Sequence, residues 1–165
     1  MFKPTITIVG PFASEYSLAK VNRNLAAALD TIQSEYNIRL WGEAHSIDKL
    51  PSAQDYKKYP FLKNLYTGEV PAQDIIIFTN FPKNSNTKYG LAELPGSVNL
   101  AYLAWEESIY PERFVEECNQ NLHGIIATSN HTKDIFIRSG IKIPVTVIGE
   151  GLDVPFAKTQ NYKIN

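Results

Sequence analysis

The sequence is poor in cysteine, balanced in charge and free of long apolar runs, and each of these shortages excludes a class of protein. A single cysteine, Cys118, cannot form an internal disulfide, which argues against a secreted disulfide scaffold and favours a reducing compartment. The 16 basic and 17 acidic residues give a net charge of −1, and no block of five like charges occurs. This balance predicts no nucleic-acid partner.

The shortage of apolar segments also bears on location. No run approaches the roughly 20 residues that cross a bilayer, and residues 1–5 lack the apolar stretch and cleavage site of a signal peptide. We therefore expect a cytoplasmic protein. A peripheral contact with the inner face of the membrane through Lys57, Lys58 and Lys63 is an alternative, but three lysines form a weak patch and a solvated loop is favoured.

Short β-branched runs alternate with helical patterns along most of the chain. Strands are predicted at 5–9, 38–41, 74–79, 98–103, 124–128 and 145–148, and helices at 18–32, 111–122 and 130–139. Ser129 and Gly140 have the residue types that begin and end the third helix. Between 43 and 73 we expect only one or two short helical turns. The alternation predicts an α/β fold, a Rossmann-like three-layer sandwich with a mainly parallel sheet of about six strands.

Ligands of open α/β sheets bind beyond the carboxyl ends of the strands, which directs attention to the loops there. The loop after the first strand contains Gly10 and Pro11 and leads to Ser17. It has one of the three glycines of a dinucleotide fingerprint, so we predict no tight NAD or FAD site. Its amide groups could receive an anion at the start of the helix, although a simple chain turn is the favoured interpretation on the loop alone.

A tryptophan and two carboxylates follow the predicted strand at 98–103. Trp105 could cover the apolar face of a sugar, and Glu106 or Glu107 could hold a hydroxyl-rich ligand or take a proton. Adjacent carboxylates usually point in different directions, so we expect at most one of them to face a site. The alternative is that Trp105 belongs to the core and that one carboxylate caps the following helix.

No group of residues has the spacing of a metal or cofactor site. The three histidines and Cys118 lack metal-ligand spacing, and no serine lies in a Gly-x-Ser-x-Gly turn. We therefore predict no metal and no cofactor, and we interpret Cys118 as a buried core residue. His131 keeps a candidate role because it lies in the first turn of a helix at the carboxyl edge of the sheet.

Four stretches, taken in order, resemble the group 1, family 4-like glycosyltransferases of the GT-B fold. They are residues 102–108, 124–129, 139–140 and 144–153, and residues 8–11 and 17–23 are similar to the family's first loop and helix. The resemblance implies retaining transfer of a sugar from a nucleotide-sugar donor to a saccharide or lipid-linked acceptor, as in polysaccharide biosynthesis. It also implies two Rossmann-like domains with the active site between them.

The resemblance further implies a loop near the donor phosphates, one catalytic candidate, an acceptor-side pocket and an interdomain hinge. The residues that match the loop near the donor phosphates are Gly10, Pro11 and Ser17, and the catalytic candidate is Glu106. The acceptor-side pocket would contain Trp105, Ser129 and His131. The hinge would contain Gly149, Gly151 and Asp153. Many family members have a histidine near the position of Glu106, so the resemblance alone leaves its role as a base open.

The resemblance also implies a division into domains. Residues 1–153 would form the acceptor-side domain and residues 154–165 the start of the interdomain linker. The partner would be the carboxyl-terminal GT-B domain, which grips the nucleotide and carries paired glutamates that these 165 residues do not contain. We therefore expect this chain to be inactive alone. The alternative hypotheses are a stand-alone α/β saccharide-binding or interaction module without catalysis, and a different Rossmann-like enzyme, which the lack of a nucleophile or metal cluster disfavours.

Overall fold

Seven parallel strands form one sheet in the computed structural model, which describes residues 3–12, 17–42, 53–66, 73–82 and 90–151. In chain order the strands are β1 (Thr5–Val9), β2 (Asn37–Trp41), β3 (Leu65–Tyr66), β4 (Gln73–Phe78), β5 (Gly96–Leu103), β6 (Gly124–Ala127) and β7 (Val145–Val147). The helices are α1 (Ser17–Asp30), α2 (Ala53–Lys58), α3 (Glu112–Asn121) and α4 (Asn130–Ser139), with short 3-10 turns at Pro60–Asn64 and Leu91–Glu93.

The order of the strands across the sheet is β3-β2-β1-β4-β5-β6-β7. This is the doubly wound Rossmann order extended by one strand, and it confirms the predicted α/β fold with a parallel sheet. The sequence pattern missed β3, a two-residue strand that pairs Leu65 with Leu40 of β2 at one edge. The expected short helical turns are α2 and the 3-10 turn at Pro60–Asn64.

The winding direction of the chain changes between β1 and β4. From β1 the chain proceeds to β2 and β3 on one side, whereas β4 leads to β5, β6 and β7 on the other. Val9 at the end of β1 pairs with Phe78 at the end of β4, so the two carboxyl ends lie side by side. A change of winding direction between neighbouring parallel strands is the place where open α/β sheets form a crevice and bind their ligands.

Alternating side chains bury both faces of the sheet. On the α3 and α4 face, strand residues pack with residues of the two helices: Val9, Ile76, Phe78, Leu103 and Ile125 with Phe114, Cys118, Ile135 and Phe136. On the α1 face, the main contributors are Ile6, Ile8, Leu40, Ile77 and Tyr102, covered by Leu25, Ala26 and Leu29. Cys118 is fully buried, as its apolar surroundings in the sequence predict.

Both ends of α4 lie where Ser129 and Gly140 predicted them from the sequence. Ser129 precedes the helix in an extended conformation, and its hydroxyl accepts a hydrogen bond from the Thr132 amide at 3.1 Å. Gly140 ends the helix with φ of 107°, in the left-handed region that glycine adopts at little cost. These caps fix where α4 begins, and thereby fix the loop between β6 and α4 at the carboxyl edge.

Candidate functional site

A cavity of about 440 Å³ lies at the carboxyl edge of the sheet, at the crevice between the two halves of the winding. Its walls come from the start of α1, from the segment after β4, from the end of β5 with the following loop, and from Glu150 after β7. The lining residues are Ser17, Leu18, Val21, Thr79, Asn80, Phe81, Tyr102, Leu103, Ala104, Trp105, Glu106, Glu107 and Glu150.

The loop after β5 is held in place through Trp105. The Trp105 indole N–H donates to the Ile109 carbonyl at 2.9 Å, which closes the loop on itself. The hydroxyl of Thr132 donates to the Trp105 carbonyl at 3.4 Å, and the Tyr110 ring meets the indole edge-on with centroids 4.9 Å apart. Trp105 is half-buried. It packs against the core, as one interpretation of the sequence expected, and it also forms part of the cavity wall, as the other expected.

The carboxylates of this loop lie at the cavity. Both Glu106 and Glu107 are exposed and both line it, although we expected at most one of them to do so. Four consecutive residues of this loop, 104–107, line the cavity, so neighbouring side chains share it. Of these two carboxylates, Glu106 but not Glu107 also lines a second cavity of about 470 Å³.

The second cavity brings together four of the residues predicted for the acceptor side. Trp105 and Glu106 form one wall, and Ser129 and His131 at the start of α4 form another, with Glu150 as a further contributor. The Ser129 hydroxyl also lies 2.9 Å from the Thr132 hydroxyl, so capping the helix occupies much of its hydrogen-bonding capacity. The geometry thus groups these residues, and their function remains a prediction.

Of the three residues predicted to form the loop near the donor phosphates, Ser17 lines the cavity at the carboxyl edge, and Gly10 and Pro11 do not. Gly10 is buried, and its amide donates to the Trp41 carbonyl at 3.1 Å. The Pro11 carbonyl points toward α1, where it accepts a hydrogen bond of 2.7 Å from the Asn22 side-chain amide. The Arg23 guanidinium donates a hydrogen bond of 2.6 Å to the Phe12 carbonyl. Two buried polar side chains of α1 therefore fix the backbone at the beginning of this loop.

The predicted hinge residues lie beside α1. Gly149 and Gly151 line a third, mostly apolar cavity of about 230 Å³, and the Asn24 side-chain amide donates to the Gly151 carbonyl at 3.3 Å. A Cβ on either glycine would meet no atom of the described residues within 4 Å, so contacts with that part of the chain do not require glycine there. Asp153 lies outside the described residues.

Several cavity residues were not singled out from the sequence. The loop after β4 was a candidate region, but its pattern gave no reason to choose Asn80 or Phe81. Phe81 is partly exposed, and its ring lies edge-on to Trp105 with centroids 6.2 Å apart. Glu150 was part of the hinge motif, and nothing local indicated that it would reach all three cavities.

Tyr102 belongs to the stretch 102–108 that carries the resemblance, but nothing in the sequence predicted a role of its own for it. Burial raises the pKa of its phenol, and the negative charge of Glu150 raises it further. The hydroxyl therefore stays protonated at neutral pH and can donate a hydrogen bond into the site.

Within the described ranges, no three histidine, cysteine, aspartate or glutamate side chains come together as a metal site would require. The same ranges contain no helix whose length and hydropathy would allow it to cross a bilayer.

Comparison with known proteins yields a match in structure alone. No protein-family model and no curated protein matches the chain. One similar structure is an alpha-glucosyltransferase in complex with UDP and a 13-mer DNA containing an HMU base, with a TM-score of 0.59 and 14% identity over 92% of this chain and 44% of that one. Another is an alpha-glucosyltransferase with UDP and a 13-mer DNA containing a central A:G mismatch, with a TM-score of 0.54 and 15% identity over 94% of this chain and 42% of that one.

These similarities show a fold that occurs in glycosyltransferases. The chain spans less than half the length of the enzymes it matches. They also correct the prediction that the chain has no nucleic-acid partner, because both matched proteins carry DNA in their structures. That prediction was wrong because net charge sums over the whole chain, whereas contact with nucleic acid depends on the local surface. A sum of −1 excludes no such surface.

Proposed function

We propose that this chain is the acceptor-side domain of a retaining, group 1 type glycosyltransferase, and that its acceptor is DNA. The observation that carries the proposal is the cavity at the carboxyl edge, where Trp105 and Glu106 lie together in a fold shared with UDP-bound and DNA-bound glucosyltransferases. DNA replaces the saccharide or lipid-linked acceptor expected from the sequence.

The chemistry of the cavity supports a neutral acceptor group. Glu106, Glu107 and Glu150 would repel the phosphate backbone, so the phosphates would run outside the rim. The aromatic rings of Trp105 and Phe81 offer a surface on which a base can stack. The Glu106 carboxylate can then accept a hydrogen bond from a hydroxyl carried by that base, and so orient it toward an incoming sugar.

The donor would be a nucleotide-sugar held mainly by a second domain. The support is the extent of the structural match, since this chain covers 44% of the alpha-glucosyltransferase in complex with HMU-containing DNA. We therefore propose that the 165-residue chain binds acceptor and does not transfer sugar alone. Release of UDP from UDP-glucose by the purified chain, dependent on added DNA, would contradict this.

The acceptor is tested by fluorescence anisotropy with the 165-residue chain. The probes are labelled 13-mer DNAs that carry either one 5-hydroxymethyluracil or one thymine at the same position. We expect the hydroxymethylated DNA to bind several-fold more tightly, and Glu106→Gln to weaken its binding. Glu116→Gln, an exposed carboxylate on α3, is the matched control and should leave binding unchanged. Binding of neither DNA, together with binding of oligosaccharides, would favour the saccharide-binding module instead.

A further inference from the structure

A basic surface lies beside α1 and outside the cavity at the carboxyl edge. It consists of α2 and the 3-10 turn that follows it, which contain the exposed residues Lys57, Lys58 and Lys63. Asp55 is the one acidic residue between 53 and 66, so three lysines and one acid give this segment a net charge of +2. The proposed function gives these lysines no role.

Aromatic side chains hold the basic surface against α1. The Tyr59 ring contacts two cations, since its centroid lies 5.0 Å from the Lys58 ammonium and 5.3 Å from the guanidinium carbon of Arg23. Arg23 also donates to the Phe12 carbonyl in the loop after β1. The rings of Phe61 and Tyr59 lie 5.8 Å apart, and both pack on the core of the α1 face. The basic surface is therefore fixed relative to the loop that leads into α1.

The first turns of α1 connect the basic surface to the cavity. Ser17 lines the cavity, whereas Arg23 contacts Tyr59 of the basic surface. Lys20 is exposed and lies three residues from both Ser17 and Arg23, so helical spacing places it between the two sites. No acidic residue occurs from 17 to 29, so α1 extends the positive charge toward the cavity.

Charge is therefore divided across α1. The carboxylates of Glu106, Glu107 and Glu150 line the cavity on one side, and the basic surface lies on the other. A phosphate is repelled by the first group and attracted by the second. A DNA that places a neutral base in the cavity can thus keep its phosphates on the basic surface.

A membrane is another anionic surface that lysines can bind, but the basic surface is less suited to it. A helix that binds in the plane of a bilayer buries a broad apolar face there. Helix α2 has only six residues, and Leu62 in the following turn is 1% exposed because it packs inside the protein. The lysines therefore lack the free apolar area that would accompany them at a membrane.

We propose that the basic surface binds the phosphate backbone of the acceptor DNA, beside the nucleotide whose base enters the cavity. The ammonium groups of Lys57 and Lys63 each pair with a phosphate as point charges. An α-helix is about 10–12 Å wide and the phosphates of one strand are about 3.4 Å apart along the axis, so the contacts fall about three nucleotides from that base. They supply affinity without reading sequence. This inference rests on the proposed function and adds the path of the DNA.

The test measures how salt weakens DNA binding, because each lysine that pairs with a phosphate adds to this dependence. The 165-residue chain is titrated with a labelled, double-stranded 13-mer DNA carrying 5-hydroxymethyluracil, at about 50 and about 200 mM salt. Each phosphate contact contributes about 0.9 to the slope of log affinity against log salt, so Lys57→Gln and Lys63→Gln should each lose roughly threefold less affinity over this range than the wild type. Both should bind thymine DNA more weakly by the same factor.

The controls separate phosphate pairing from a general effect of charge. Lys142→Gln removes an exposed lysine that precedes β7, at the opposite edge of the sheet, and should keep the wild-type salt dependence. Lys63→Arg retains the charge and should keep it as well. Glu106→Gln should weaken the preference for 5-hydroxymethyluracil over thymine, whereas the lysine variants should leave that preference intact. Melting temperatures of the lysine variants should stay near that of the wild type, because these side chains are exposed.

The possible failures are distinguishable. Absence of any DNA binding contradicts the proposed function and this inference with it. DNA binding that depends on Glu106, with a salt dependence unchanged in Lys57→Gln and Lys63→Gln or lowered equally in Lys142→Gln, contradicts the inference alone. Sedimentation with vesicles of phosphatidylserine and phosphatidylcholine that is lost in Lys57→Gln, while the salt dependence of DNA binding is unchanged, would assign the lysines to a membrane and overturn the inference.

Discussion

At the scale of single residues, burial sets the chemistry of the only cysteine. Burial raises the pKa of the Cys118 thiol to about 11. The hydrogen bond between Cys118 and Tyr110 acts in the opposite direction, and the charge of Glu117 adds to the rise. The pKa of Tyr110 is also raised, mainly by burial. Both groups are therefore neutral in the folded chain at physiological pH, which fits a packing role on the α3 face rather than a nucleophile.

These shifts predict a loss of stability in alkali. The unfolded thiol ionises near its usual pKa of 9.0, whereas the folded thiol holds its proton up to about 11, so rising pH favours the unfolded chain across that window. Ionisation of this thiol alone can lower the free energy of unfolding by at most about 3 kcal/mol. Melting temperatures from pH 8 to 10.5 should fall for the wild type. Cys118→Ala should be less stable throughout but should fall less steeply, and parallel curves would contradict the account.

The close approach of two loops at Gly10 gives a second prediction at this scale. A Cβ on Gly10 would overlap the Thr79 hydroxyl and come within 2.8 Å of the Asn22 side-chain nitrogen. Thr79 has little freedom to move because its hydroxyl also donates to the Val9 carbonyl at 3.1 Å. We expect Gly10→Ala to lower the free energy of unfolding by about 1–3 kcal/mol.

The control for Gly10→Ala is Gly149→Ala, where a Cβ meets no atom of the residues that the structure describes within 4 Å. Its effect should stay within about 0.5 kcal/mol. Urea unfolding of both variants decides the matter, and equal losses would show that the crowding at Thr79 is relieved by a small backbone shift.

At the scale of elements, much of the chain was predictable from local pattern. The strand and helix positions follow hydrophobic spacing, and the ends of α4 follow from Ser129 and Gly140. β3 escaped because a two-residue strand has no pattern of its own and exists only by pairing with β2. The most buried stripe of α1 also includes polar Asn22 and Arg23, which sequence spacing could not reveal because their partners are carbonyls of the preceding loop.

Ser129 is predicted to matter first as a helix cap. Ser129→Ala removes the acceptor for the Thr132 amide and should cost about 1 kcal/mol. Ser129→Asp retains an acceptor at the same position and should recover that stability in thermal unfolding. If DNA binding falls in Ser129→Ala but returns with the cap in Ser129→Asp, the residue acts by fixing α4. Loss of binding in both variants, at wild-type stability for the aspartate, would make its hydroxyl a direct contact.

At the scale of the whole molecule, the site depends on neighbours that local patterns do not specify. Glu106 and Glu150 are far apart in sequence, but both line the same two cavities. They follow β5 and β7, which are parallel and separated in the sheet by β6 alone, so their carboxyl ends lie at the same edge. Phe81 meets Trp105 because β4 lies next to β5. The strand order decides both, and nothing in the hydrophobic spacing of one strand indicates which strand lies beside it. The same limit applies to net charge, which carries no information about where charges lie.

The proposed function requires that the cavity at the carboxyl edge binds DNA. Its most direct test is a nitrogen-15 NMR titration of the 165-residue chain with a 13-mer DNA that carries 5-hydroxymethyluracil. If DNA binds in the cavity, the largest chemical-shift changes fall on the amides of 79–81, 102–107 and Glu150, which line it. Saturable changes confined to α2 or to the outer surface of α3, with those amides unmoved, would contradict it.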